Sequence, residues 1–240
     1  EVAAALPAEA TLVVASSMST YGEGAYRCPK CGPVSPPLRS EEQMARGDWE
    51  LHCPSCSARA VPVPTPESKI QEITSIYALS KKDQEDMVIN VGKAYKIPVV
   101  AVRRFNVFGP RQSLSNPYTG VAAIFMSRLK NRARPLVFED GKQSRDFVSV
   151  HDIVRANILA MESPKADYQI LNVGAGRQVT VLDIALTLNR LLGLSIEPQV
   201  LGKFRQGDVR HCFSDIGKIR RLLGFEPQVS LEGGMKERIA

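Results

Sequence analysis

The stretch PVVAVRRF, from Pro98 to Phe105, decides the fold of this chain. Its first five residues are all apolar, and three of them are valine, which is β-branched. This pattern is typical of a strand covered on both faces, since both sides of the strand must then be apolar. The stretch TLVVA, from Thr11 to Ala15, has the same character. We therefore predict two buried strands, one in each of these stretches.

The segments around these strands alternate between helical and extended patterns. Tyr77–Lys96 has helix-forming composition, with Met87, Val88, Val91 and Tyr95 on one side. The later segments are predicted as helix 121–130, strand 135–138, helix 150–161, strand 168–173 and helix 179–192. Such alternation predicts an α/β fold with a mainly parallel sheet.

The composition excludes several classes of protein. The 240 residues are 44% hydrophobic and 23% charged, as in an ordinary globular protein. The formal charge is +6, but the basic residues form no dense block or aromatic-interleaved stripe, so we expect no nucleic-acid partner. No apolar run approaches the roughly 18 residues that span a bilayer, so we expect no membrane partner and a cytoplasmic location. The positive charge suits a small phosphorylated substrate.

Four cysteines form two CxxC pairs, which are Cys28 with Cys31 and Cys53 with Cys56. They lie in a proline-rich segment with little periodicity, residues 24–66, which we interpret as a small independent insert. Four thiolates complete the tetrahedral shell of a structural zinc ion, and such a site folds a loop too small to build its own core. The sequence therefore predicts an inserted zinc-ribbon-like loop.

Other interpretations of these cysteines stay open. The pairs could be two disulfides, which are rare in a cytosolic chain, or unconnected thiols. His52 could replace one cysteine as a zinc ligand. The remaining cysteine, Cys212, is interpreted as a small core residue.

The segment SIYALSKKDQE, from Ser75 to Glu85, places Tyr77 four residues before Lys81. Residues four apart share one face of a helix, and an ammonium group beside a phenol favours the phenolate, which can act as a base. Ser17 and Asn106 each follow a predicted strand. Ligands of a doubly wound sheet bind outside the carboxyl ends of its strands, so these residues form a candidate catalytic constellation.

Seven motifs in this order resemble those of the extended short-chain dehydrogenases, specifically the NAD-dependent nucleotide-sugar epimerases and dehydratases. The motifs are ASSMSTYGEG (15–24), SIYALSK (75–81), RRFNVFGPRQ (103–112), NPYTGVAAIF (116–125), FEDGKQSRDF (138–147), LNVGAG (171–176) and QGDVRHCFSDIGKIRRLLGFEP (206–227). Together they are distributed from residue 15 to residue 227, on both sides of the insert. The resemblance implies a Rossmann-like doubly wound parallel sheet, of which only the C-terminal portion is present, with a small α/β substrate domain.

The resemblance also implies catalytic roles. Ser17 matches the hydroxyl that hydrogen-bonds the reacting oxygen of the sugar. Tyr77 matches the catalytic base. Lys81 matches the residue that holds the nicotinamide ribose and activates the tyrosine, so Tyr77 and Lys81 are also the expected NAD-binding residues.

Four further residues match positions that contact the nucleotide-sugar substrate. Asn106, Arg145 and Arg210 match contacts to the diphosphate and nucleotide, a task that suits guanidinium groups because they bind phosphate through two hydrogen bonds. Phe138 aligns with a residue that contacts the base, although a place in the strand core explains it equally well. A homodimer through the helix that carries Tyr77 is implied as well.

The resemblance separates two reactions. Dehydratases of this kind carry an Asp-Glu pair after the hydroxyl residue, where this chain has Met18 and Ser19. An NAD-dependent 4-epimerase of a UDP-hexose or dTDP-6-deoxyhexose is therefore expected, acting through a transient 4-keto sugar, as in UDP-glucose 4-epimerase and dTDP-L-rhamnose 4-epimerase. The latter carry a similar cysteine insert. The alternatives are an NAD(P)-dependent nucleotide-sugar reductase or dehydratase, and a non-catalytic zinc-stabilised fragment.

The sequence departs from the family pattern in three places. It contains no glycine-rich dinucleotide fingerprint, because Gly174-Ala175-Gly176 has no third glycine at the required spacing. Arg104 stands where an aromatic residue is frequent, and Ser149 where histidine is frequent. We therefore expect a fragment of a longer enzyme. Its expected domains are the second half of a dinucleotide-binding domain (1–23 and 67–112), the insert (24–66) and a substrate domain with segments that return to the sheet (113–240).

Overall fold

The computed structural model describes residues 10–112, 120–205 and 207–239. The strands are β1 (Leu12–Ser17), β2 (Ala25–Cys28), β3 (Gly32–Val34), β4 (Val61–Val63), β5 (Val99–Arg104), β6 (Asn106–Phe108), β7 (Leu136–Val137), β8 (Ser144–Arg145), β9 (Phe147–Ser149), β10 (Ile170–Val173), β11 (Val179–Thr180), β12 (Gln199–Val200) and β13 (His211–Cys212). The α-helices are α1 (Glu41–Ala45), α2 (Ile76–Tyr95), α3 (Val121–Lys130), α4 (Val150–Glu162), α5 (Val181–Leu191), α6 (Gly217–Leu223) and α7 (Leu231–Ile239).

The central sheet has three parallel strands in the order β1-β5-β10. Leu12 of β1 pairs with Val99 of β5, and Ile170 of β10 pairs with Ala101 of β5. Both stretches that the sequence predicts as buried strands belong to this sheet. The prediction of an α/β fold with a parallel sheet is confirmed.

Both faces of β5 are buried, which explains its uninterrupted apolar sequence. Val99 and Ala101 pack with Ile89 of α2 on one face. Val100 and Val102 belong to a different cluster on the other face, which includes residues of α4 and α6. Helices on both faces make the sheet doubly wound.

Helix α2 places a charged residue against the sheet and apolar residues outside. Glu85 is fully buried, whereas Met87, Val91 and Tyr95 are exposed. Gly92 lets the helix approach β5, because a Cβ at this position would lie 2.3 Å from a methyl carbon of Val99. The apolar side that the sequence indicates is therefore partly an outer surface of the helix.

The second half of the chain forms its own core from α3, α5 and α7, with short strand pairs beside it. Helix α3 has the bounds that the sequence predicts. The predicted helix 179–192 is wrong at its start, because Val179 and Thr180 pair with β8 and the helix begins at Val181. The motif NPYTGVAAIF begins in residues 113–119, which lie outside the described residues.

The cysteine-rich insert contains a separate antiparallel sheet in the order β3-β2-β4. Its core is small and consists of Tyr26, Leu51 and Ala60, with Val34 packed against them. Among the helices that the structure describes, none is long and apolar enough to cross a membrane.

Candidate active site

Three residues that the sequence predicts as functional line one cleft at the carboxyl end of the central sheet. Ser17 is the last residue of β1, Asn106 is the first residue of β6, and Tyr77 lies in the first turn of α2. The cleft has a volume of about 1140 Å³. Strand ends of a parallel sheet meet at one edge, and this topology brings together residues that are far apart in sequence.

Tyr77 and Lys81 lie on the same side of α2. The Nζ atom of Lys81 is 5.9 Å from the centre of the Tyr77 ring. It donates hydrogen bonds to the backbone oxygen of Ala15 at 2.9 Å and to Oε1 of Gln84 at 3.2 Å. The bond to Ala15 fixes the ammonium at the end of β1. Tyr77 is 57% exposed, so its phenol is accessible from the cleft.

The start of α2 also favours negative charge near Tyr77. The side chain of Ser75 caps the helix by accepting a hydrogen bond from the backbone N–H of Ala78 at 3.1 Å. Tyr77 follows within the first turn, where the helix dipole stabilises anions. The ammonium of Lys81 and the N-terminus of α2 therefore both place positive electrostatic potential near the Tyr77 ring.

Ser17 also lines this cleft and belongs to a tight turn. Its Oγ accepts hydrogen bonds from the backbone N–H of Ser19 at 3.2 Å and from the Ser19 hydroxyl at 3.0 Å. These two bonds orient the Ser17 hydroxyl, which keeps its own proton to donate to a ligand. Met18 and Ser19 also line the cleft, and neither side chain is a general acid or base near neutral pH.

Several buried polar atoms around the cleft lack partners. Within the described residues, Nε of Arg104, Oδ1 of Asn106 and Oε1 of Gln112 are buried and have no hydrogen-bond partner. All three residues line the cleft. Burial lowers the pKa of Arg104, because desolvation disfavours the charged guanidinium. Buried polar groups are normally satisfied, so these atoms indicate that the cleft accommodates a polar ligand.

A second cavity, of about 280 Å³, shares Asn106 with the first. Phe138, Arg145 and Arg205 also line it. The guanidinium carbon of Arg205 lies 4.1 Å from the centre of the Phe138 ring. A flat aromatic face and two guanidinium groups suit a nucleobase with its attached phosphates.

Arg205 is the residue that sequence reasoning missed. The signal was present, since Arg205 precedes Arg210 in the segment FRQGDVR, but the pattern alone does not say which arginine faces a cavity. Arg145 is the better-oriented of the predicted arginines. It donates to the backbone oxygens of Ser144 and Val209 and pairs with the Asp208 carboxylate at 3.0 Å.

The structure does not bring Arg210 to the cavity wall. Its side chain is fully buried and donates to Glu50 at 2.6 Å, to Glu139 at 2.7 Å and to Asp140 at 2.7 Å. Three carboxylates thus surround this guanidinium, so no direct contact with a phosphate is open to it. Arg210 lies near the cavity through its backbone, whose carbonyl oxygen accepts a hydrogen bond from Ser144 of β8, and not through its side chain.

The four predicted metal ligands form a single cluster. The sulfur atoms of Cys28, Cys31, Cys53 and Cys56 lie within 4.8 Å of one another. Four sulfurs at about 2.3 Å from a zinc ion would be roughly 3.8 Å apart, so the cluster fits this ion. The cluster excludes His52, whose Nε2 lies 3.0 Å from the Asp48 carboxylate.

The protonation of these thiols also fits a cation site. Desolvation opposes the thiolate of Cys28, but hydrogen bonds from the backbone of Cys31 and Lys30 outweigh it and lower its pKa to about 6. Hydrogen bonds to Cys56 and Cys53 raise the pKa of Cys31 to about 12. Thiols this close share their protons unevenly because four thiolates without a cation would repel one another. The lone thiol of Cys212 is fully buried, as predicted for a core residue.

The turn at Gly174-Ala175-Gly176 cannot cradle a dinucleotide phosphate. The backbone N–H groups of Ala175 and Gly176 donate to the buried carboxylate of Asp146 at 2.8 and 3.0 Å. A Cβ at Gly174 would lie 2.5 Å from the same carboxylate. The position that a phosphate would occupy already holds an anionic side chain, and the glycines exist to accommodate it.

The chain matches a known family model over residues 52–174, just over half of its 240 residues, and the model describes the NAD dependent epimerase/dehydratase family. The chain belongs to this family. A dTDP-L-rhamnose 4-epimerase of Burkholderia thailandensis is 35% identical over 231 residues, covering 94% of this chain and 61% of the relative.

Solved structures agree with this family assignment. The UDP-glucose 4-epimerase of Thermotoga maritima, determined with UDP-glucose, superposes with a TM-score of 0.75 and 30% identity over 95% of this chain and 62% of that one. The UDP-glucose 4-epimerase of Thermus thermophilus, determined with NAD, gives 0.70 and 25% over 96% and 63%. The chain thus spans about 61% of the length of the B. thailandensis relative.

Proposed function

We propose that this chain supplies the proton-transfer and nucleotide-sugar parts of an NAD-dependent 4-epimerase. The carrying observation is that Ser17, Tyr77 and Asn106 line one cleft, with Lys81 fixed beside Tyr77. These groups converge from three different elements of the chain. Such convergence of a hydroxyl, a phenol and an ammonium suits oxidation of an alcohol carbon.

The residues would divide the reaction as follows. The phenolate of Tyr77 takes the proton of the sugar hydroxyl, and the Ser17 hydroxyl donates a hydrogen bond to the same oxygen. Lys81 stabilises the phenolate during this transfer. The keto sugar then rotates in the cleft. Tyr77 returns the proton to the same oxygen, and the sugar carbon that carries it now has the opposite configuration. The unpaired donors and acceptors of Arg104, Asn106 and Gln112 would hold the sugar in both orientations.

Tyr77 and Lys81 are the residues of this chain that would hold NAD, and NAD would supply the hydride chemistry of the reaction. Tyr77 and Lys81 fit the ribose of this cofactor. An ammonium has three donors, and the described contacts of Lys81 use two of them, with Ala15 and Gln84. The third donor is available to a ribose hydroxyl.

The second cavity would take the nucleoside diphosphate. Phe138 and Arg205 provide stacking surfaces for the base, and Arg145 provides positive charge near the phosphates. Because the B. thailandensis relative aligns over 94% of the chain, whereas two relatives named for UDP-sugar 4-epimerases align over 68% and 71%, we favour a dTDP-6-deoxyhexose over a UDP-hexose. Dehydration is disfavoured because Met18 and Ser19 supply no acid and base pair.

We also propose a bound zinc ion and a homodimer for the whole protein. One zinc ion, held by Cys28, Cys31, Cys53 and Cys56, would stabilise the insert. A homodimer would form through α2, whose exposed residues Met87, Val91 and Tyr95 are spaced as on one helix face. Sedimentation measurements and metal analysis test these two proposals separately.

The decisive experiment for the function uses the chain together with a dinucleotide-binding segment of the family. Incubation with NAD and dTDP- or UDP-sugars is expected to yield the 4-epimer, while the absorbance of NADH stays constant. Stoichiometric consumption of NADH or NADPH would instead identify a reductase and refute epimerisation. A product that has lost water would identify a dehydratase.

A further inference from the structure

The cysteine-rich insert, residues 24–66, extends from its cysteine cluster to the loops that form the second cavity, which is lined by Phe138, Arg145 and Arg205. Two of its charged residues make the contact. Arg39 donates from Nη1 to Glu139 at 2.9 Å, and Glu50 accepts from Nη2 of Arg210 at 2.6 Å. Arg39 is 8% exposed and Arg210 is fully buried, so both ion pairs are shielded from water.

These contacts hold the loop that carries Phe138. Glu139 follows Phe138 directly and has a positive φ of 51°, a conformation that a non-glycine residue keeps only when its surroundings impose it. The Glu139 carboxylate binds both Arg39 and Arg210, and its backbone N–H donates to the oxygen of Lys203 at 2.7 Å. Arg39 therefore secures the backbone next to the aromatic wall of the cavity.

The same residues hold the loop that carries Arg205. Nη2 of Arg39 donates to the backbone oxygen of Asp208 at 2.9 Å, while the Asp208 carboxylate binds Arg145 at 3.0 Å. The ring of Trp49 lies against that of Phe204, with centres 6.4 Å apart. Insert residues thus touch the loop on both sides of Arg205.

Glu50 is one of three carboxylates that balance the charge of Arg210, and it also pairs with Arg59 at 3.0 Å. Burial opposes the charge of Glu50, but hydrogen bonds from His211 and Arg210 outweigh it and hold the pKa of that carboxyl well below its usual range. Glu50 therefore stays ionised and neutralises part of Arg210. Neutralising Glu50 leaves Glu139 and Asp140 as the carboxylates of Arg210 and changes the charge balance of this buried cluster, which holds both loops of the cavity wall.

The metal cluster determines whether these residues can stay in place. Glu50 stands three residues before Cys53, and Leu51 between them belongs to the small core of the insert. The backbone N–H of Cys53 donates to Ala58 at 2.8 Å, which closes the loop that carries the second cysteine pair. A core of this size does not stabilise a fold without a metal or a crosslink.

We propose that Arg39 and Glu50 are positioning residues for the second cavity. Metal occupancy of the cysteine cluster then sets the affinity of this cavity for a nucleotide. The inference rests on the proposed function, since it assumes that the cavity lined by Phe138 and Arg205 binds a nucleotide. Neither Arg39 nor Glu50 lines that cavity. Both act through Glu139, Asp208 and Arg210.

The test measures binding of UDP and dTDP to the full chain by calorimetry. Glu50→Gln, which keeps the shape of the side chain, is expected to weaken nucleotide binding by at least about tenfold. The matched control is Asp48→Asn, which alters the insert at its exposed pair with His52 and should bind as the wild type does. Arg39→Ala should weaken binding, and Arg39→Lys should restore part of it because the charge remains.

Metal removal provides an independent test of the positioning role. Trp49 is the single tryptophan of this chain, so its emission reports directly on the contact with Phe204. Chelation of zinc is expected to shift this emission and weaken nucleotide binding together, and added zinc should restore both. Circular dichroism measures whether each variant is folded. If Glu50→Gln is not folded, the comparison of Arg39→Ala with Arg39→Lys decides whether the positioning role holds.

The possible failures are distinguishable. If the wild type binds neither UDP nor dTDP, the proposed function is wrong and the positioning role is wrong with it. If nucleotide binds the folded wild type, Glu50→Gln, Arg39→Ala and the zinc-free chain equally well, only the positioning role is overturned. In that case the cavity binds nucleotide without help from the insert.

Discussion

Glu85 of α2 and Arg103 of β5 form a buried two-bond ion pair, with Nε to Oε2 at 2.9 Å and Nη2 to Oε1 at 2.6 Å. Glu85 also accepts from the Ser16 hydroxyl at 2.7 Å, and Arg103 donates to the Tyr21 hydroxyl at 2.8 Å. The pair therefore connects the helix that carries Tyr77 to the ends of β1 and β5. It fixes the distance between the proposed base and the strand ends that form the cleft.

This relationship predicts a large loss of stability when Glu85 is neutralised. Glu85→Ala leaves the guanidinium of Arg103 buried and unpaired, so the free energy of unfolding should fall by about 3–5 kcal/mol. Lys82→Ala is the control on the same helix, because the Lys82–Asp86 pair is more exposed and should cost less than about 1 kcal/mol. Urea unfolding measures both. Equal effects of the two variants would show that the Glu85–Arg103 pair contributes no more than a surface pair.

Tyr77→Phe should abolish epimerisation and leave nucleotide binding nearly unchanged. The substitution removes the hydroxyl that accepts the proton, so kcat should fall by roughly 10²–10⁴. The phenyl ring keeps the shape of the cleft. Tyr95→Phe, on the exposed end of the same helix, is the matched control and should retain activity. Nearly full activity of Tyr77→Phe would transfer the role of base to another group.

Much of this site could be predicted from sequence because strand ends share one edge. The apolar runs around Val14 and Val100 locate two strands, and their topology alone brings Ser17 and Asn106 to the helix that carries Tyr77. A strand covered on both faces can be recognised from the local sequence, since most of its side chains are apolar on both faces.

The arginines could not be assigned in this way. Whether Arg205 or Arg210 faces the cavity depends on Glu50 and Glu139, which reach Arg210 from distant parts of the chain. No local pattern records these partners. The start of α5, which was predicted two residues too early, could have been found from a local pattern, because Thr180 and Asp183 form a capping box.

Zinc binding to the cysteine cluster should release protons. Cys28, with a pKa of about 6, is already a thiolate at pH 7.5, whereas Cys31, raised to about 12, carries a proton that the metal must displace. Calorimetry of zinc binding in buffers of different ionisation enthalpy measures this release. Affinity should therefore fall as the pH is lowered, because protons compete with the metal for the sulfurs.

The stoichiometry of the metal provides the structural control for this site. Cys28→Ser should reduce bound zinc from one ion per chain to a weakly held fraction and lower the melting temperature of the insert. Cys212→Ala removes a thiol that lies outside the cluster, and its zinc content should remain that of the wild type. Freshly purified wild type without zinc would contradict the assignment.

Arg205→Ala should weaken nucleotide binding and leave folding intact. The side chain is exposed and makes its described contact with the Phe138 ring, so its loss removes a stacking partner of the base without creating a buried defect. Stacking and cation–π contacts of this kind contribute about 1–2 kcal/mol, so Kd for dTDP should rise roughly tenfold. Arg177→Ala is the control, because Arg177 lies at the turn beside Gly176 and lines neither the cleft nor the second cavity. An unchanged Kd for Arg205→Ala, with Phe138→Ala also unchanged, would move the base away from this wall and leave Arg145 as the remaining anchor for the phosphates.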